Sequence, residues 1–205
     1  MIRRILFCLY YFSVCFTSFG QQTGQIKGEL YQIGDGNKYC AAIKTSVFKF
    51  YQAEQEYDNW CWAACIKMVL NYQGITIEQC DIVAKAFGQC INRPASCDIM
   101  VEAANGWNYN GISIRAWEEG TISSKDLIDA LANKYPVIIG LNMPGQSVGH
   151  AYVLTAIYFR KDSDHNKIIP ERVRLRDPWP PNKDVYETTW HDFKDRINCI
   201  VHVTH

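Results

Sequence analysis

Cysteine, histidine, aspartate and glutamine are the side chains that together can run nucleophilic acyl chemistry: a thiolate attacks, an imidazole moves the proton, and an amide steadies the oxyanion. In this chain Cys61 lies in the stretch Gln55-Glu56-Tyr57-Asp58-Asn59-Trp60-Cys61-Trp62-Ala63-Ala64-Cys65. Gln55, six residues upstream, is placed for its amide to reach over the sulfur. A cysteine nucleophile needs a base that takes its proton and returns it to the leaving group. Of the histidines, His165 falls in a polar loop, His191 in an exposed helix, and His202 and His205 at the terminus. His150 alone stands where a glycine loop opens an apolar strand, in Gly149-His150-Ala151. Such a ring is fixed by a sheet yet open to a cleft.

The elements that must position these groups can be read from periodicity. Asn59 is a good N-cap, and Trp62, Cys65, Ile66, Val69 and Leu70 then mark a helix with one buried face that runs to about Tyr72. Cys61 falls in its first turn, where the helix dipole favours negative charge on sulfur. Downstream, Val137–Asn142 reads as a central strand, and His150–Phe159 and Ile168–Asp177 as a hairpin pair. A hairpin centred between Ser163 and Asp164 sets position 150 opposite position 177. His150 and Asp177 then meet at one end of the sheet, where a carboxylate can hold the ring Nδ1–H and fix its tautomer.

These motifs resemble the papain-like cysteine peptidases, in which a Gln precedes by six residues a Cys-Trp pair opening the central helix. In that family the base is a His at a strand start, and the orienting Asn or Asp precedes a Trp by two, here Asp177-Pro178-Trp179. The closer likeness is to compact bacterial members, the bacteriocin-processing and staphopain-like branch, over about Gln55 to the C-terminus. The chain departs from the papain signature: Asn59-Trp60 precedes Cys61 instead of Gly-[Ser/Ala], and His150 and Asp177 lie nearer than about 130–150 residues downstream. The resemblance implies an α+β fold, a helical half on a twisted antiparallel sheet half with a cleft between. It implies Cys61 as nucleophile, His150 as base, Asp177 as orienter, and Gln55 with the Cys61 N–H as oxyanion hole. Trp62, Gly149 and Trp179 would line or shield that site, with Trp179 covering the His–Asp hydrogen bond. The substrate would be a peptide or protein, with no cofactor or metal; a His202–His205 metal site is disfavoured by strand alternation.

Composition is consistent with this and excludes little else. The 205 residues carry 21 basic and 21 acidic side chains, so no basic field points to nucleic acid. Residues 1–20 read as a signal peptide: Arg3 and Arg4, an apolar run from Ile5 to Phe16, and Ser18-Phe19-Gly20 before cleavage. That run is too short to span a bilayer, so the expectation is a secreted or periplasmic protein with no membrane contact after cleavage. Seven cysteines remain in the mature chain (Cys40, Cys61, Cys65, Cys80, Cys90, Cys97 and Cys199), suggesting one reactive thiol and three disulfides of unassigned connectivity. Residues 21–52 form a short lead-in, with strands expected at Gly28–Ile33 and Ala41–Tyr51, and 53–205 the peptidase domain. The lead-in is too short for the long inhibitory pro-region of papain's relatives, which leaves a cognate inhibitor as one means of restraint. Helices are expected at Thr76–Phe87, Ile99–Asn105, Lys125–Lys134 and Thr188–Arg196, an aromatic loop at Gly106–Gly111, and a last strand at Cys199–Val203.

Each feature has an ordinary explanation taken singly. A His at a strand start is commonly structural, a helix Cys in an exported protein is commonly disulfide-bonded, and Asp-Pro is an ordinary turn. Their conjunction in this order is what points to catalysis. Two other readings use the same residues: a transamidase or acyltransferase in which an amine resolves the thioester, and a catalytically silent, disulfide-stabilised binding module. The complete set Gln55, Cys61, His150 and Asp177 argues against the silent module.

Overall fold

The computed structural model describes residues 28–34, 36–145, 148–162, 164, 167–180 and 185–205. The expected signal peptide at 1–20, the turn residue Asp35 and the hairpin residue Ser163 lie outside the described residues. In chain order the elements are β1 (Tyr31–Gln32), β2 (Lys38–Ala42), α1 (Thr45–Phe48), α2 (Cys61–Tyr72), α3 (Gln79–Phe87), α4 (Cys97–Ala104), β3 (Asn108–Tyr109), β4 (Ile112–Ser113) and β5 (Arg115–Glu118). They continue with α5 (Ser124–Ala132), β6 (Val137–Leu141), β7 (His150–Asp162), β8 (Lys167–Arg176), β9 (Val185–Thr189), α6 (Trp190–Lys194) and β10 (Ile197–Thr204). This is the α+β arrangement the sequence implies: helices α2 to α4 packed on an antiparallel sheet built around β7.

Strand β7 organises the sheet because it pairs with three others. Its residues 150–154 pair with β6, and residues 156–160 pair with β2, while β8 pairs from Val153 to Asp162. Residues 38–42 of the lead-in are thus a strand of the central sheet. Beyond β6 the order continues through β10 to β5, and β9 extends β8. Every residue of β6 is buried, as its unbroken apolar run requires. Helix α2 lies across β6 and β7 with Trp62, Ala63, Ala64, Cys65, Ile66, Met68, Val69 and Leu70 all enclosed. It is buried nearly all round, more than the single face its periodicity implies.

Several boundaries differ from expectation for local reasons. Helix α2 starts at Cys61 with Trp60, not Asn59, at the N-cap, and no side chain caps it. Residues 45–51 are helical instead of extended, which drives Phe48 into the core against Tyr51 and Tyr72. Helix α3 begins at Gln79 and not at Thr76, because Asn71 Oδ1 accepts the Ile77 N–H (3.0 Å) and holds that segment out of helix. The aromatic loop is a small hairpin, β3–β4, and strands β5 and β9 were not expected.

Among the described residues two disulfides form, Cys80–Cys90 and Cys97–Cys199. The third expected pair does not: Cys40, Cys61 and Cys65 are free thiols. Cys40 sits on β2 within the fields of Arg172 and Arg174, whereas Cys65 sits on α2 beneath Cys61 and Asp177, so the two have different surroundings. Burial pushes the Cys40 thiol up to about 11.

Candidate active site

Cys61 is the first residue of α2. Its N–H is among the first-turn groups that have no acceptor within a helix. The flanking tryptophans are buried and act as pegs: Trp60 Nε1 donates to Ile91 O (2.9 Å) and Trp62 Nε1 to Arg93 O (3.0 Å). They fasten the loop of residues 88–96, in which Cys90 is tied to Cys80 and which is followed at once by Cys97, tied to Cys199.

The segment before Cys61 is held by Gln55, which is buried. Its Nε2 donates to Tyr57 O (2.9 Å) and Asp58 O (3.0 Å). An amide NH2 has two hydrogens, so in this arrangement neither is left to reach over the sulfur as the sequence reading expected. The preceding turn closes through Trp60 N–H to Tyr57 O (3.0 Å).

On the sheet side, His150 opens β7 opposite Leu141 of β6. Gly149 must lack a Cβ, since one there would lie 2.8 Å from Leu141 O and 2.9 Å from Asn198 Nδ2. A Cβ on Gly140 would likewise meet Asn198 Oδ1 at 2.5 Å. The two glycines let the Asn198 side chain wedge between them, where its Nδ2 donates to Asn142 Oδ1 (2.8 Å).

Asp177 is the residue after β8, and its Oδ1 lies 2.8 Å from His150 Nε2. The same oxygen accepts the Trp179 N–H at 2.9 Å. The hairpin register differs from the one read from sequence: β7 and β8 pair Val153 with Arg176 and Asp162 with Lys167, with two register shifts between. Positions 150 and 177 are therefore not opposite one another. The contact survives because the chain leaves the ladder at Arg176 and the carboxylate reaches back. It is also made at Nε2, not at the expected Nδ1, which leaves Nδ1 as the ring nitrogen for Cys61.

The electrostatics tie the three groups together. Burial favours a neutral His150 ring, but hydrogen bonds and charge from Asp177 and Cys61 outweigh it and raise the imidazolium to about 9. Cys65, one turn below Cys61, is fully enclosed; burial, with the charges of Cys61 and Asp177, pushes its thiol far upward. Cys65 therefore stays protonated and does not compete as nucleophile.

Cys61 and His150 face one cavity of about 640 Å³, within the range of sites that take a small ligand or a peptide segment. Cys61, Trp62, Gly149, His150 and Trp179 all line it, with residues 94–97 along one wall and Met143 and Val148 among the others. Gln55 does not line it.

A family model described as the Peptidase_C39 like family matches residues 45–201. The chain belongs to the Peptidase_C39 like family. It is accordingly a papain-like cysteine peptidase of the bacterial branch, and its substrates are peptides or proteins. In fold it is similar to the peptidase domain of Streptococcus ComA, a bi-functional ABC transporter involved in a quorum sensing pathway. That similarity has a TM-score of 0.52 and 16% identity, over 74% of this chain and 96% of the other. No curated protein matches the chain.

Within this family member, three site features escaped the sequence reading. Tyr152 sets its ring edge-on to His150, centroids 4.7 Å apart at 85°, and lines the cavity. Its signal was present, because alternation puts residues 150 and 152 on the same face of a strand. Asn198 sits where β10 shifts register between Ile197 and Cys199, and nothing local marks that irregularity. Gln52 donates from Nε2 to Asp177 O (3.0 Å) and the Gln55 N–H to Pro178 O (2.8 Å), joining the nucleophile and orienter segments directly.

Of the other histidines, His165 lies outside the described residues, and His191 Nδ1 lies 3.4 Å from Asp195 Oδ2. His202 is buried between Glu119 Oε2 (2.7 Å) and the stacked ring of Trp117, and His205 lies 3.4 Å from Gln73 Oε1. No described helix is long and apolar enough to cross a membrane.

Proposed function

We propose that this peptidase cleaves peptide bonds through Cys61, His150 and Asp177 by way of an acyl-enzyme thioester. The Cys61 thiolate attacks the scissile carbonyl carbon, a C–S bond forms, and the carbonyl electron pair moves onto oxygen. The first-turn N–H of Cys61 receives that oxyanion, and Gln55 shapes the turn that presents it. The His150 imidazolium gives its proton to the departing amine as the C–N bond breaks. Water then attacks the thioester, His150 takes its proton, and the C–S bond breaks to restore the thiolate. Asp177 holds the ring and stabilises the imidazolium throughout. Trp179 adds a backbone N–H to Asp177 and screens the His–Asp contact from solvent.

The observation that carries this reading is the 2.8 Å contact of Asp177 with His150, a ring that lines one cavity with Cys61. The raised imidazolium supports it, because a proton donor must still be charged at neutral pH. The test is intact mass after brief iodoacetamide treatment without reductant, with the labelled residue mapped. One adduct on Cys61 and parallel loss of peptide hydrolysis are expected. Labelling of Cys40 or Cys65 with Cys61 spared would refute the assignment.

The enzyme acts outside the cytoplasm in this proposal. Arg3, Arg4 and the apolar run that follows support export, as do two disulfides, which persist in oxidising compartments. N-terminal sequencing of the mature protein is expected to begin at Gln21.

A further inference from the structure

Gln79 is a polar side chain at 1% exposure on a helix whose other buried residues, Ile82 and Val83, are apolar. Both ends of its amide are bonded, and both bonds go to one place. Nε2 donates to Glu54 O at 2.7 Å, and Oε1 accepts the Glu56 N–H at 3.2 Å. The amide thus clasps the backbone on either side of Gln55, as a neighbouring strand would.

That clasp is one link in a chain of contacts ending at the reacting atoms. Between the two clasped residues, the Gln55 N–H bonds Pro178 O, and its side chain holds Tyr57 O and Asp58 O. Asp58 and Asn59 already line the cavity, and Cys61 follows. Moving residues 54–56 would therefore move the turn carrying the Cys61 N–H against the segment carrying Asp177. Helix α3 is itself anchored where the clasp begins, through the Lys67–Glu78 ion pair and the Cys80–Cys90 disulfide on either side of Gln79.

We infer that Gln79 is a positioning residue for the oxyanion-binding turn. It sets the place of the Cys61 N–H through the backbone of residues 54–56 and touches no substrate. The inference rests on the peptidase reading above. A displacement near 1 Å at a distance from the chemistry costs about 10²-fold in rate, and it does so in the transition state, where the oxyanion exists.

The test uses the full mature protein and three probes. These are a quenched-fluorescent peptide chosen as the wild type's best substrate from a mixed library, iodoacetamide, and a peptidyl aldehyde. The aldehyde forms a hemithioacetal with Cys61 and so needs the oxyanion site; alkylation does not. For Gln79→Met, kcat is expected to fall about 10–100-fold with KM within about 3-fold of wild type. Aldehyde affinity should fall with kcat, and the iodoacetamide rate should stay unchanged. Gln79→Glu covers the case in which the Met variant fails to fold. It keeps the Glu56 bond and regains a donor for Glu54 only when protonated, so its kcat relative to wild type should recover as pH falls. A folded variant with kcat within twofold of wild type overturns the inference. So does an alkylation rate that drops in step with kcat, since the nucleophile and not the turn would then be disturbed. Absence of turnover in the wild type, with Cys61 unlabelled, would instead overturn the peptidase reading on which the inference stands.

Discussion

The two walls of the cleft are built by different means. On the sheet wall, His150 and the approach to Asp177 are set by ladders: β6 pairs with β7 without a break, and β8 pairs with β7 up to Arg176 across two register shifts. On the helical wall, Cys61 is set by discrete side-chain contacts from Gln55, Gln79, Trp60 and Trp62, and by two disulfides. A ladder has period two, so a slip of one residue turns a side chain to the other face. Discrete contacts fail one at a time. The sheet wall is therefore all-or-none, and the helical wall degrades in steps.

The largest expected effect lies on the sheet wall. In the proposed mechanism His150→Ala removes the group that moves the proton in both half-reactions, so hydrolysis of the best peptide substrate should drop by at least about 10³-fold. The thermal midpoint at neutral pH should fall, since the imidazolium contact with buried Asp177 is lost, but no ladder bond is removed and the fold should persist. Residual turnover near the wild-type level, with fold confirmed by circular dichroism, would mean another base serves Cys61.

Next comes the staple joining the walls. Cys97–Cys199 ties the start of α4 to β10 across a sequence separation of 102, and both cysteines line the cavity. Replacing both with Ser should cost about 4–5 kcal/mol by loop-closure entropy. The Cys80–Cys90 pair, with a separation of 10, should cost about 3 kcal/mol or less. Urea unfolding of the two double variants ranks them. At 20 °C each variant that remains folded should keep at least about a tenth of wild-type kcat. If either loses all activity while folded, the helical wall does not degrade in steps.

How far the sequence reveals this site follows the same division. Cys61, His150 and Asp177 were legible because each sits at an element end marked by composition: a polar loop into an apolar helix, a glycine before a strand, and Asp-Pro after one. The juxtaposition of His150 and Asp177 was legible although the register was not. Asp162 pairs with Lys167, so the hairpin is centred one residue later than periodicity placed it, while the shifts at Leu154/Ala156 and Tyr158/Phe159 offset one another. Long-range discrete contacts left no trace. Gln79 lies within the helix expected at Thr76–Phe87, and its clasp on residues 54 and 56 requires knowing how α3 packs. Likewise Gln55 was identified by its offset from Cys61, yet which carbonyls its amide meets depends on a turn that the sequence does not specify. The third disulfide was expected from an even remainder, which ignores that Cys40 and Cys65 serve as small enclosed apolar groups.

A smaller effect separates positioning from charge within the sheet wall. Asp177→Asn keeps an oxygen that can accept the His150 N–H but removes the negative charge that helps hold the imidazolium at about 9. Losing that charge favours the neutral ring, so the alkaline limb of kcat/KM should move to lower pH, with kcat down by about 10-fold. Stability follows the same sign. His150 binds its proton more tightly folded than unfolded, so its contribution is complete below about pH 6.5 and is lost as pH rises through about 9. The thermal midpoint of the wild type should fall more over that interval than that of Asp177→Asn. Superimposable pH–stability curves would show that Asp177 only orients the ring.

The smallest expected effect tests whether the ladder alone fixes the His150 ring. Tyr152 follows two residues later on the same face and sets its edge against the imidazole at 4.7 Å. Its hydroxyl has a weak described contact, 4.0 Å from Met143 Sδ. Burial and the Asp177 charge keep that hydroxyl strongly protonated, so it carries no charge at any working pH. The part that matters is then the ring, not the oxygen. Tyr152→Phe keeps the edge-on contact and should leave kcat within about 2-fold, with the alkaline limb unmoved. Tyr152→Leu loses an aromatic pair of about 0.5–1.5 kcal/mol, which corresponds to a drop of about 2–12-fold in kcat as the imidazole samples other rotamers. Equal losses in the two variants would assign the role to the hydroxyl. No loss in either would mean that the β6–β7–β8 ladders and Asp177 hold the imidazole without help from its neighbour.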